Sequence, residues 1–141
     1  MALNTETLKR LGILVVMLHV IVTIPHAISH SLMHIDMNTW QTIYILVVIS
    51  VAPVAAAVLL WKRVGLGFHL LALSMTGSFL FGVYYHFVAA GADNVRSVHA
   101  HSWSLTFQTT AVLLALVESI GALVGVYGIT NESRHAFRNS R

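Results

Sequence analysis

Residues 11–30 read Leu11-Gly12-Ile13-Leu14-Val15-Val16-Met17-Leu18-His19-Val20-Ile21-Val22-Thr23-Ile24-Pro25-His26-Ala27-Ile28-Ser29-His30. The run is apolar almost throughout and turns polar only at its far end. A bilayer core about 30 Å thick takes about 20 residues of helix at 1.5 Å each, so this stretch is long enough to cross once. Its apolar residues are continuous rather than alternating, which argues against a strand. Asn4 or Thr5 is placed to cap a helix that carries Lys9 and Arg10 before the run begins. The run is too long, and too polar at its outer end, for a signal-peptide core. Pro25 and the histidines stand where a small-residue cleavage site is expected, so the segment is read as a retained helix.

Three further segments have the same character: about Thr42 to Trp61, with Pro53 inside it, about Val64 to Ala90, and about Trp103 to Ile129. Proline is tolerated in such helices because neighbouring helices satisfy the freed carbonyl. Composition agrees, with 57% of the chain hydrophobic and 9% charged, against roughly 25% charged in soluble domains. Mean hydropathy is +0.78. So little polar material cannot cover a water-facing surface, and lipid must solvate much of the chain. The expectation is an all-α integral membrane protein of a single domain over residues 1–141. It is a four-transmembrane-helix bundle with helices at about 8–34, 41–61, 64–90 and 102–129.

Charge gives the orientation. Lys9 and Arg10 precede the first helix, Lys62 and Arg63 join the second to the third, and Arg134, Arg138 and Arg141 follow the fourth. Of the eight basic residues only Arg96 falls on the other side. The positive-inside rule then puts both termini in the cytoplasm, in the cell or cytoplasmic membrane. Trp40, Trp103, Tyr84 and Tyr85 fall near the outer boundary, and Trp61 and Tyr127 near the inner one, as interfacial aromatic residues do. The net charge of +3 reflects this placement, and no nucleic-acid partner is expected. The absence of cysteine excludes disulfides, thiolate metal sites and iron–sulfur clusters.

Orientation gives the histidines meaning. His26, His30 and His34 close the first helix on the outside, His86 ends the third, and His99 and His101 precede the fourth. Six of the nine histidines thus gather at one face. The four-residue spacing of His26, His30 and His34 puts neighbouring imidazoles one turn apart on a helix. His30 and His86 fall at about 28 and 30 Å from the inner membrane surface by helical rise. His19, Thr23, His26 and His30 form a narrow polar stripe that predicts an inward-facing seam. Pro25 lies within it, where a kink would re-aim the histidines beyond.

Three readings follow. The first is a transition-metal ion, copper, zinc or iron, held by imidazoles from His26, His30, His34, His86, His99 and His101 with Asp36 or Asp93 supplying a carboxylate; Asp36, Asp93 and Tyr85 are the groups that would orient the rings. The second is a b-type haem in an electron-transfer subunit, with His26 or His30 and His86 as axial ligands and Gly77 and Gly82 admitting the macrocycle. The third is neutral, hydrogen-bonded interfacial histidines in a cofactor-free accessory subunit of a larger membrane complex. The i,i+4 repetition favours the ion, as a redox or catalytic subunit or in metal handling. No reaction or catalytic residue is assigned.

Two features remain. The polar loop Gly91 to His101 shares the outer face, and Asp93 is placed to accept from a histidine. Glu118 lies mid-membrane in the fourth helix, where a carboxylate is costly and marks function by default; His19 is at comparable depth. The small residues of Gly121-Ala122-Leu123-Val124-Gly125 fit close helix approach, within the bundle or in a homo-oligomer. Phosphate-loop, serine-hydrolase and HExxH signatures are absent from the sequence.

Overall fold

The structure, a computed structural model, describes residues 4–139, with side chains up to Arg134. The side chains of His135 and Arg138, and all of Arg141, lie outside the described residues. Four helices make up the fold: α1 (Thr5–Leu32), α2 (Thr39–Trp61), α3 (Leu66–Val88) and α4 (Ser104–Asn139). All four are long and apolar enough to cross a membrane, and no strand occurs among the described residues.

Each helix starts and stops for local reasons. Asn4 accepts a hydrogen bond from the Thr7 N–H at 2.7 Å and opens α1, satisfying one of the donors a helix start leaves unpaired. The helix runs through Pro25 without interruption. It closes at Met33, and His34 turns the chain with φ 52°. Asn38 then starts α2 through a reciprocal capping box with Gln41. Within α2, residues Ile45–Val51 wind as π-helix just before Pro53. Proline has no N–H to give the preceding turn, and Ser50 Oγ donates to the Ile45 carbonyl at 3.0 Å across the widened turns. A second π-helical segment, Tyr84–Val88, ends α3. The Lys62–Arg63 turn, with Arg63 at φ 60°, makes α2 and α3 antiparallel neighbours.

The main core lies in the half of the bundle nearest that turn: Leu8, Val15 and Val16 of α1, Ala56 and Leu60 of α2, and Phe68, Leu71 and Met75 of α3. Glycines let α3 and α4 close up. A Cβ on Gly125 would come within 2.6 Å of the Ala72 nitrogen, and one on Gly128 within 2.2 Å of Phe68 Cδ1. Gly121 and Gly125, the small-residue pair of α4, thus serve the contact of α4 with α3. Outward faces stay apolar, with Met17, Ile21 and Ile24 on α1, Leu73 and Leu80 on α3, and Leu105 and Leu123 on α4 exposed. A monomer in water does not carry so much exposed apolar surface, and these faces suit lipid.

One asymmetry positions the site. α4 packs along both α1 and α3, but α1 meets α2 mainly through its second half, Ala52–Trp61. The first half of α2 stands off from α1, and a cavity opens there.

Candidate metal centre

Three imidazoles meet at the end of the bundle opposite the main core. His26 and His30 come from successive turns of α1, and His86 comes from the π-helical end of α3. Ring centroids are 4.8 Å apart for His26 and His30, 4.9 Å for His26 and His86, and 5.8 Å for His30 and His86. One ring nitrogen from each lies within 4.8 Å of the others, and all three side chains are buried. Phe107 of α4, fully buried, packs against all three rings; it stacks on His26 at 5.2 Å with an interplanar angle of 19° and meets His30 and His86 edge on.

The outward nitrogens are each engaged. Thr110 Oγ1 lies 2.7 Å from the Thr106 carbonyl, so its own proton is used and it accepts from His26 Nδ1–H at 2.9 Å. His86 Nδ1 faces the Asp93 main-chain carbonyl at 3.1 Å, which can only accept. Asp93 Oδ1 lies 3.1 Å from His30 Nε2 and 3.0 Å from His86 Nδ1, close enough to pair although off the line of a good hydrogen bond. Burial by itself would raise the Asp93 carboxyl, but the His30 and His86 contacts outweigh burial and hold it down at about 2.

The remaining nitrogens face inward. His26 Nε2 and His86 Nε2 stand 3.2 Å apart, and the protonation of the two rings sets whether one donates to the other. His30 Nδ1 is buried without a hydrogen-bond partner among the described residues. The contact of His26 with His86 is favourable when a proton or a metal ion is shared between the two nitrogens. Three buried imidazoles with their outer nitrogens engaged and one nitrogen of each within 4.8 Å of the others could hold a metal ion.

The loop after α3 holds Asp93 in place. Asn94, buried, donates to the Ala89 carbonyl at 2.8 Å and accepts from the Arg96 N–H. The Val95 N–H returns to the His86 carbonyl at 3.0 Å, and Gln108 of α4 donates to the Val95 carbonyl at 2.9 Å.

The other residues singled out by sequence lie elsewhere. His34 is exposed and its Nδ1 meets the Ser31 carbonyl. His99 and His101 are exposed at the start of α4, where the Ser104 hydroxyl donates to the His99 carbonyl and His101 Nδ1 accepts from the Trp103 N–H. Asp36 is exposed in the α1–α2 connection. Tyr85 packs on Phe81 at 4.6 Å, within a ladder that continues to Tyr44 and Trp40. His19 Nε2 and Glu118 Oε1 pair at 3.1 Å, both buried. Phe107 and Thr110 were not singled out as site residues by sequence. Their three-residue spacing puts them on one face of α4, a signal too common in apolar helices to mark a site.

Below the imidazoles lies a cavity of about 380 Å³ lined by all four helices, with Glu118 deep in its wall. The chain matches no protein-family model, and no curated protein or solved structure is significantly similar to it.

Proposed function

We propose that this chain is a small integral membrane protein that holds one transition-metal ion, copper, zinc or iron, between His26, His30 and His86 at the non-cytoplasmic end of its helices. The observation that carries the reading is the convergence of three buried imidazoles, with one ring nitrogen from each of His26, His30 and His86 within 4.8 Å of the others. The donor set is all imidazole, which suits these three metals and disfavours the hard cations that prefer oxygen ligands. Three protein ligands leave one position for water or substrate, the pattern of catalytic rather than closed structural sites. That position adjoins the cavity, which supports a redox or catalytic subunit. The ion would act as a Lewis acid or electron carrier. The residues of the chain hold its ligands in one tautomer, and the apolar helices exclude bulk water.

A b-type haem fits these residues less well. Two axial imidazoles must stand on opposite sides of a flat macrocycle, whereas His26 and His86 touch edge to face and Phe107 is stacked against His26.

The test is elemental analysis of protein purified in mild detergent after growth with each metal supplied, together with an absorption spectrum. One equivalent of a single transition metal and no Soret band supports the reading. A Soret band that is lost in His86→Ala replaces it with haem. Absence of both, in protein that takes up no copper, zinc or iron on titration, leaves an accessory subunit.

A further inference from the structure

We infer that the cavity beneath the imidazoles binds a small apolar molecule carrying one hydroxyl group, which reaches it sideways from the lipid between α1 and α2. The inference rests on the metal reading only in placing an open coordination position at the cavity's upper end; the cavity itself is independent of any ion.

Size and lining come first. About 380 Å³ is at the small end of the range for small-molecule sites, which are mostly apolar with a few placed polar groups. Here the apolar wall includes Ile45, Leu46 and Ile49 of α2, Phe81 of α3 and Leu114 of α4. An occupant of such a space is largely hydrocarbon.

The polar groups define the rest. Glu118 Oε1 is engaged by His19, and Oε2 lies on the side of Gly82. Ser78 lines the same cavity, is fully buried, and its Oγ has no hydrogen-bond partner among the described residues. Buried polar atoms left without a partner are few in native proteins and call for an explanation. Ser78 lies one turn from Gly82 on α3, and a Cβ at Gly82 would sit 3.7 Å from Glu118 Oε2 and 3.8 Å from His86 Cδ2. The bare glycine therefore leaves a passage from the carboxylate to the imidazoles. A hydroxyl in the cavity accepts from Ser78, or donates to Glu118 Oε2 beside Gly82 on the way to His86.

Access follows from the helix packing. The first half of α2 does not close against α1, and Ala27 of α1 and Leu46 of α2, which line the cavity, are exposed. A solute dissolved in the bilayer meets this window without crossing water.

The experiment uses the full chain in lipid nanodiscs, in metal-free and metal-loaded forms. The probes are an octanol carrying a diazirine on its chain and the corresponding octane without the hydroxyl, with labelled residues located by mass spectrometry. The expected result, in both forms, is saturable labelling of Ile45, Leu46, Ile49 or Phe81, at least tenfold stronger for the alcohol and displaced by excess octanol. Gly82→Leu should abolish it, and Ala115→Leu, which fills the cavity from α4, gives the same readout should the glycine variant fail to fold. Labelling spread without competition over Leu73, Leu105 and Leu123, or equal for both probes, overturns the inference. Saturable labelling in protein that takes up no metal upholds the cavity and refutes the metal reading alone. Metal uptake with unsaturable labelling does the reverse.

Discussion

His26 Nε2 and His86 Nε2 face each other at 3.2 Å across the gap between α1 and α3, and the opposite nitrogen of each ring is committed to an acceptor. Sixty positions apart in the chain, the two rings are held edge to face over Phe107. A cation at the usual distance of about 2.0–2.1 Å from each nitrogen would lie off the line between them and take both as ligands.

His26→Ala and His86→Ala are accordingly expected to lower metal affinity by about 100-fold or more, beyond the loss typical of removing an orienting partner. His30→Ala should fall with them. His34→Ala, His99→Ala and His101→Ala, all at exposed positions, should retain full metal content. Competition titration against a chelator checks the set, and equal losses in both groups would sink the three-histidine assignment.

Asp93 touches two of the imidazoles, and Thr110 the third. Asp93→Asn and Thr110→Val should each weaken metal binding about 10- to 100-fold without removing a ligand. Asp93→Asn can still present its main-chain carbonyl to His86, so its loss should be the smaller of the two effects at His86 and fall mainly on His30. Affinity measured in Asp93→Asn and His30→Ala, alone and together, gives the coupling; full additivity would refute it.

Acid should release the metal because imidazole binds only when neutral. Asp93 does not share that transition. Its carboxyl is held down at about 2, below the ordinary value of about 4, so its contribution to stability is complete above the ordinary value and is lost only as pH falls toward 2. Metal content followed from pH 8 to pH 4 should therefore fall while the helical circular dichroism signal stays constant. Simultaneous loss of both would place the acid sensitivity in the fold.

Glu118 and His19 are each other's buried partners. Removing one leaves the other unpaired, at a cost of about 1–3 kcal/mol, so His19→Leu and Glu118→Leu should each lower the thermal midpoint in detergent. The double variant should recover part of that loss, since replacing both members of a buried polar pair by apolar groups is close to neutral. A double variant as unstable as the two losses combined would show that the pair has no mutual role. Glu118→Gln should leave metal content intact.

The contact of α4 with α3 depends on Gly125 and Gly128, where added side chains would meet Ala72 and Phe68. Gly125→Leu is expected to destabilise by about 1–3 kcal/mol through overpacking. The readout is the thermal midpoint of the monomeric protein; an unchanged midpoint would mean that the helices do not pack as closely as described.

The four spans were legible from residues 11–30 and their three counterparts, because a bilayer-length apolar run in lipid has only the helix to satisfy its backbone. The inward stripe was legible too, since helical periodicity turns His19, Thr23, His26 and His30 to one side; the three histidines are buried and Thr23 is half-buried. Depth made His19 one candidate partner for Glu118, and the structure places the two at 3.1 Å. Sequence also brought six histidines to one end, but periodicity fixes only angle and height within a single helix and is silent about distance between helices. Which three rings converge was decided by tertiary structure: by the π-helical turns that carry His86, by the Asn94-tethered loop that lowers Asp93 onto them, and by Phe107 and Thr110, which α4 supplies from the far side. The cavity arises in the same way. It exists because α1 and the first half of α2 do not pack against each other, and such a gap between helices leaves no trace in the residues of either one.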